Sequence, residues 1–392
     1  MRKILPLLIF LIAAVSPALA DYDLGLVEEK ADYRTIPVRV SADTGDLNSL
    51  AYRAFNSHGR YRLVASGFAY DIRFSQVGSS EVRVDITRGG NEVASEVVPG
   101  TSARDALLRA ADVAVEKTNG QGLRGYFASK IAFIGVITGH KEVYVSDLFF
   151  SSVRRITSDR AIALSPRWAP DGNRIIYTSF YHSGFPDIFL MDLNDNQRMT
   201  FESFRGTNSG ARFSPDGRQV AMVLSGEGAT EIYVSDAQGR RVSRRTLTDS
   251  VKASPCWSPD GSRIAFASSP GPQIYVMSSS GGGAERITHG ISSYCAEPDW
   301  STGDPNKIAF TIRANGGYQI AVFDSSKERS EQVSKAPFDG IEPCWLPDGR
   351  HLVYTARGRT TYVLCILDTE TGKSTPISQH FGTAMQASVW SR

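Results

Sequence analysis

Ser254-Pro-Cys-Trp-Ser-Pro-Asp-Gly261 decides the fold, because the chain repeats it. Aligned on the aromatic residue, the other copies read Ser165-Pro-Arg-Trp-Ala-Pro-Asp-Gly172, Gly210-Ala-Arg-Phe-Ser-Pro-Asp-Gly217 and Glu342-Pro-Cys-Trp-Leu-Pro-Asp-Gly349, with a degraded copy at Glu297-Pro-Asp-Trp-Ser-Thr-Gly-Asp304. All five tryptophans, Trp168, Trp257, Trp300, Trp345 and Trp390, fall on this position, and Phe213 takes the remaining one. The steps from Trp168 to Trp390 are 45, 44, 43, 45 and 45 residues. A period of this size marks one supersecondary unit copied many times.

The tripeptide Pro-Asp-Gly is a turn. Proline sets φ at the second position, aspartate bonds its own backbone, and glycine takes the left-handed conformation that follows. Apolar runs come after each turn (Ile175-Ile-Tyr177, Ile264-Ala-Phe266, Leu352-Val-Tyr354) and again about ten residues later (Ile188-Phe-Leu190, Ile232-Tyr-Val234, Ile274-Tyr-Val276). Short pieces such as Arg198-Met-Thr200, Leu247-Thr248 and Arg286-Ile-Thr288 close each unit. Four short β-branched and aromatic strands in about 44 residues make the blade of a β-propeller. One large ring per blade then fills the wedge between neighbouring sheets.

The ends of the array set the blade count. Ile131-Ala-Phe133, Val143-Tyr-Val145 and Arg155-Ile-Thr157 supply three strands without a preceding Trp strand, and Ala387-Ser-Val-Trp-Ser391 is a Trp strand with nothing after it. The last strand therefore completes the first blade and closes a ring of six, which removes the open sheet edges. The expected fold is mainly β: a six-bladed propeller over 129–392 with a small N-terminal α/β domain over 21–128.

Residues 1–20 read as a secretory signal, with Arg2 and Lys3 before an apolar run and Ala18-Leu-Ala20 as the cleavage site. Export with cleavage after Ala20 is expected, and no later apolar segment is long enough to span a membrane. Loss of Arg2 and Lys3 takes the formal charge of +2 to about zero. No basic block points to nucleic acid. Cys256, Cys295, Cys344 and Cys365 fit no zinc spacing and are expected as buried free thiols. In the N-terminal domain, strands are expected at Ile36–Val40, Tyr70–Phe74 and Val82–Ile86. Helices are expected at about 46–57 and 102–118, the second capped by Thr101 or Ser102 and stopped by Asn119-Gly120. Asp21, Tyr22, Asp23 and Leu24 begin an acidic stretch without periodicity, a candidate partner-binding peptide.

Catalytic signatures are missing from the sequence. There is no Gly-x-Ser-x-Gly elbow, and the six histidines are scattered without ligand spacing. Glu297 and Glu342 are acidic exceptions at a slot otherwise filled by small residues and are read as solvated carboxylates of the channel mouth. Binding is the better reading than catalysis, with no cofactor and no metal. The loops entering the innermost strands share a face with the loops between second and third strands. That face presents Thr207, Asn208, Ser209, Lys252, Ala253, Tyr294 and Asp339, together with the aromatics Phe180, Tyr181 and Phe185. Three aromatics in one loop either pack down or meet a partner.

The junction Gly120-Gln-Gly-Leu-Arg-Gly-Tyr-Phe-Ala-Ser-Lys-Ile-Ala-Phe-Ile-Gly135, the Trp-Ser-Pro-Asp-Gly turns and the ending Ala387-Ser-Val-Trp-Ser391 together resemble the TolB family, the periplasmic propellers of the Tol-Pal envelope system. The resemblance covers residues 120–392. It implies a non-enzymatic adaptor, expected as a monomer without direct membrane insertion. Its propeller mouth would hold a Pal-type outer-membrane lipoprotein, and its N-terminal segment a TolA-type inner-membrane protein, in support of outer-membrane integrity and constriction during division. By position, the lipoprotein contacts fall at Thr207 and Ala253. The alternative is a propeller enzyme or binding protein acting on a polysaccharide.

Overall fold

In Ala169-Pro-Asp-Gly172 the Gly172 N–H donates to the Ala169 carbonyl at 3.0 Å, and Asp171 Oδ1 accepts the Asn173 N–H at 2.8 Å. Gly172 has a φ of +69°, and Gly217, Gly261 and Gly349 repeat it at +70°, +72° and +66°. A left-handed residue at that point lets the two strands leave the turn with the right-handed twist of a sheet. In the computed structural model, which describes residues 35–226 and 228–392, each hairpin grows into a four-stranded antiparallel sheet. Six such sheets occur among the described residues. Their innermost strands touch in sequence and then meet end to start, so the ring is closed. The signal sequence and the Asp21–Leu24 peptide lie outside the described residues.

The closing strand is where the sequence placed it. Ala384–Trp390 pairs antiparallel with Lys130–Gly135 and forms one sheet with Glu142–Asp147 and Arg154–Arg155. One detail of the repeat is corrected. Trp168 pairs with Ile175, and the corresponding partner, Ile131, faces Val389 rather than Trp390. Trp390 is therefore one residue past the aromatic slot. Its ring covers Gly172, where a Cβ would sit 2.3 Å from the indole, and its Nε1–H donates to the Pro170 carbonyl at 3.1 Å. In the next two blades prolines, Pro170 and Pro215, cover the equivalent glycines.

Each innermost strand breaks register at one place. The residue there has positive φ: Ser165 +49°, Gly210 +63°, Ser254 +52°, Glu297 +57°, Glu342 +57° and Gln386 +57°. These are β-bulges, costly for residues other than glycine and kept only where surrounding contacts demand them. The contacts run from blade to blade. Glu342 N–H donates to Glu297 Oε2 at 3.0 Å, Gln386 N–H to Glu342 Oε2 at 3.2 Å, and Ser165 N–H to Gln386 Oε1 at 2.8 Å. Two residues further along, a second belt repeats the device. Trp168 N–H donates to Ser388 Oγ, Trp300 N–H to Cys256 Sγ and Trp345 N–H to Asp299 Oδ2 at 2.8 Å. The indoles join in, Trp257 Nε1–H reaching the Arg212 carbonyl at 2.9 Å. All four cysteines are buried free thiols.

The α/β unit has the sheet order β2-β1-β3-β4-β5, from β1 (Ile36–Ala42), β2 (Tyr61–Leu63), β3 (Tyr70–Gly78), β4 (Glu81–Arg88) and β5 (Asn91–Pro99). Helices α1 (Gly45–Ser57) and α2 (Ala103–Thr118) begin at the hydroxyl caps Thr44 and Ser102, which accept the N–H groups of Leu47 and Asp105. Both helices cover one face of the sheet, and their core continues through Tyr126 and Phe127 into Leu148, Phe149, Leu346 and Val353 of the propeller. The unit thus docks on the side of the ring that carries the Pro-Asp-Gly turns. No helix among the described residues is long and apolar enough to cross a membrane.

The Gln386 amide joins three blades, since it accepts from Ser165 N–H and donates to Glu342 Oε1 at 2.9 Å. Gln386→Ala should cost about 1–3 kcal/mol of stability, because buried partners are left unmatched, read as a lowered denaturation midpoint with an unchanged m-value.

Candidate functional site

With one side of the ring occupied, the opposite mouth is the open side. The geometry there follows from strand direction: the loop entering an innermost strand meets the loop between the second and third strands. Phe180 N–H bonds the Ile162 carbonyl at 3.0 Å, Asn208 N–H the Pro186 carbonyl at 3.1 Å, and Lys252 N–H the Thr230 carbonyl at 2.9 Å. Large exposed apolar side chains gather on this rim: Ile137, Ile162, Phe185, Phe204, Leu247, Val251 and Phe338. Leu247 is 78% exposed and Phe185 68%. Leu247 was read as part of an outer strand, but that strand is Ser243–Arg244, and Thr246 makes the structural contact by accepting Ile232 N–H.

The expected site residues divide into two groups. Thr207 and Ser209 are half-buried and Ala253 is exposed, all on the mouth. Asn208 and Lys252 are corrected from surface contacts to interior struts. Asn208 is 0% exposed, its amide nitrogen donating to the Phe204 carbonyl at 2.7 Å and its oxygen accepting Phe204 N–H at 3.0 Å. Lys252 is 4% exposed and donates to Thr248 Oγ1 and to the Ser250 carbonyl. A position inside a loop motif does not reveal which way a polar side chain turns. Asp339 is half-buried and committed to Arg357 at 2.7 Å and to Tyr318 N–H at 2.8 Å, while Tyr294 packs edge-on against Tyr318. Of the aromatic loop, Phe180 is half-buried, Tyr181 lies under the Arg198 guanidinium at 4.0 Å, and Phe185 projects outward.

Glu297 and Glu342 are also corrected. They are bonded and half-buried in the channel rather than solvated: Glu297 Oε2 accepts from Thr311 and Glu342 Oε2 from Thr355, beside the backbone donors already described. Burial, with Glu342 beside it, pushes the Glu297 carboxyl up to about 7.

Two of the scattered histidines are fully buried. His58 follows α1 and His351 opens a propeller strand, yet their rings meet at 4.3 Å across the junction of the two units. His351 Nδ1 is 2.5 Å from Asp348 Oδ2 and Nε2 is 3.3 Å from Asp368 Oδ2, with Arg350 on the same Asp368 oxygen at 2.7 Å. Burial alone would lower the His351 pKa, but Asp348 and Asp368 raise it to about 9. His58, Asp348 and His351 are the one group of three possible metal ligands among the described residues. Their bonding suits an ion-paired junction better. His58 Nδ1 accepts Arg60 N–H at 3.2 Å, which assigns the ring proton to Nε2, and burial beside His351 keeps His58 neutral.

A closed six-bladed propeller with an α/β unit on one side and an apolar mouth on the other defines the class of this protein. The chain matches the TolB beta propeller domain over residues 116–392 and belongs to that family. It is similar to the Tol-Pal system protein TolB of Anaeromyxobacter dehalogenans (31% identity, covering 62% of this chain and 65% of that protein). It also resembles a TolB homolog of Chlorobium luteolum (32% identity, 40% of this chain and 36% of that one). The matches thus span about a third to two thirds of the length of these relatives. A crystal structure of TolB from Acinetobacter baumannii shares the fold, with a TM-score of 0.78 at 24% identity over 91% of this chain and 96% of that one.

A carboxyl whose folded pKa is raised adds stability only while it keeps its proton, fully below the unfolded value of 4.5 and lost as pH rises through about 7. Glu297→Gln keeps an acceptor for Thr311 and Glu342 N–H and carries no charge. Its melting temperature relative to the parent should therefore climb between pH 4.5 and 7, and the two proteins should converge at acid pH.

Proposed function

We propose that this protein is the adaptor propeller of a Tol-Pal-type envelope complex, exported to the periplasm and without enzymatic activity. Its mouth binds the soluble domain of a Pal-type outer-membrane lipoprotein. The peptide beginning Asp21-Tyr-Asp-Leu24 engages a TolA-type inner-membrane protein, so that one molecule links the two membranes and supports outer-membrane integrity and constriction during division. Membership of the TolB family supports this reading.

The observation that carries it is the crowding of exposed apolar side chains on one rim while the α/β unit packs against the other side of the ring. Scattered surface apolar residues are ordinary, but a collar of them on a rigid scaffold marks a protein-binding surface. Affinity in such surfaces concentrates in a few large side chains. Phe185 and Phe338 are the natural anchors, with Thr207 and Ala253 on the same mouth.

Titration calorimetry of the mature protein against the soluble domain of the same organism's Pal-type lipoprotein tests the reading. One-to-one binding is expected, weakened about tenfold or more by Phe185→Ser or Phe338→Ser, the size of loss usual for an aromatic anchor. Val93→Ser, on the sheet of the α/β unit, should leave affinity unchanged. No heat of binding with a folded propeller would remove the lipoprotein arm of the proposal.

A further inference from the structure

Past the constriction made by Glu297, Glu342 and Gln386, the channel opens toward the Pro-Asp-Gly side as a funnel of about 430 Å³. All five tryptophans of the chain line it, and Arg167 and Arg212 reach both the funnel and the narrow part above. The two arginines are not equivalent. Arg212 is ion-paired with Asp299, which also accepts Trp345 N–H. Arg167 donates from Nη1 to the Pro166 and Ala387 carbonyls at 3.2 Å each and forms no ion pair among the described residues. Enclosure, with Arg212 nearby, lowers its pKa, the mark of a cation short of a counter-charge.

The acidic groups around it are already engaged, Asp299 with Arg212 and the Trp345 N–H. Glu297 and Glu342 belong to the constriction and accept hydroxyl and backbone N–H donors there. The funnel wall adds two further arginines, Arg124 from the linker between the two units and Arg392. An enclosed guanidinium without an anion is unfavourable, and its planar fork matches a carboxylate or phosphate through two parallel hydrogen bonds. A volume of this size exceeds a bare ion and falls in the range of ligand pockets, about 300–1,000 Å³.

We infer that the funnel is an oxyanion seat: Arg167 anchors the carboxylate or phosphate of a small ligand, Arg124 adds charge from the wall, and the tryptophans enclose the rest. The site is separate from the apolar mouth and does not depend on the adaptor reading.

Intrinsic fluorescence reports on it directly, because every tryptophan lines the funnel. The protein is titrated with sodium acetate and, separately, with inorganic phosphate, ionic strength being held constant with chloride. A saturable change with acetate assigns the seat to carboxylates, and one with phosphate assigns it to phosphorylated ligands. Arg167→Gln, which can still donate to the Ala387 carbonyl, should weaken binding at least tenfold. Arg167→Lys should bind with intermediate affinity, and Arg155→Gln on an outer strand should bind as the parent does. Loss of the response in Arg167→Gln with a preserved melting temperature supports the seat, as does graded loss through Arg167→Lys. No saturable change with either anion, or identical curves for parent and Arg167→Gln, overturns it.

Discussion

The structure depends on how the inner edge of each sheet is satisfied. A blade taken alone would present its innermost strand as an open row of donors and acceptors. Here the bulged residue turns its N–H out of its own sheet, and along the run Glu297, Glu342, Gln386 and Ser165 the preceding side chain receives it. The second belt, through Cys256, Asp299 and Ser388, binds the aromatic strand of the following blade in the same way. Five residues other than glycine hold positive φ at the bulges, and four of them, Ser165, Glu297, Glu342 and Gln386, are fixed by these bonds.

That constraint assigns most of the polar channel to architecture. Glu297 and Glu342, expected as solvated carboxylates, act as stitches in the fold. Arg167 is the exception, since its charge is matched by nothing in the belt. The rigid ring also leaves recognition to its rims. One rim carries the α/β unit, held by a continuous apolar core and by the packing of the His58 ring on His351. The other carries the exposed apolar collar.

Much of this was legible in the sequence. The tryptophan period, the Pro-Asp-Gly turns and the orphan closing strand follow from short-range chemistry, and so do the capped helices. Strand β5 was not visible: its residues are mostly exposed on both sides, so no alternation marks it. The register of Trp390 was hidden because a repeat finder aligns like with like, whereas pairing is set by backbone bonds. Burial of Asn208 and Lys252 depends on where loops from adjacent strands cross. His58 and His351 stand 293 positions apart in the chain, and their rings meet only through docking. In each case the missing information is tertiary.

On the proposed reading the mouth, not the Pro-Asp-Gly side, receives the protein partner. Hydrogen–deuterium exchange of the mature protein, with and without the soluble domain of the Pal-type lipoprotein, tests it most directly. Slowed exchange is expected in the loops holding Ile162, Phe185, Phe204, Val251 and Phe338, with the turns at Gly172, Gly217 and Gly261 unchanged. Protection confined to those turns, or to the sheet of the α/β unit, would contradict it.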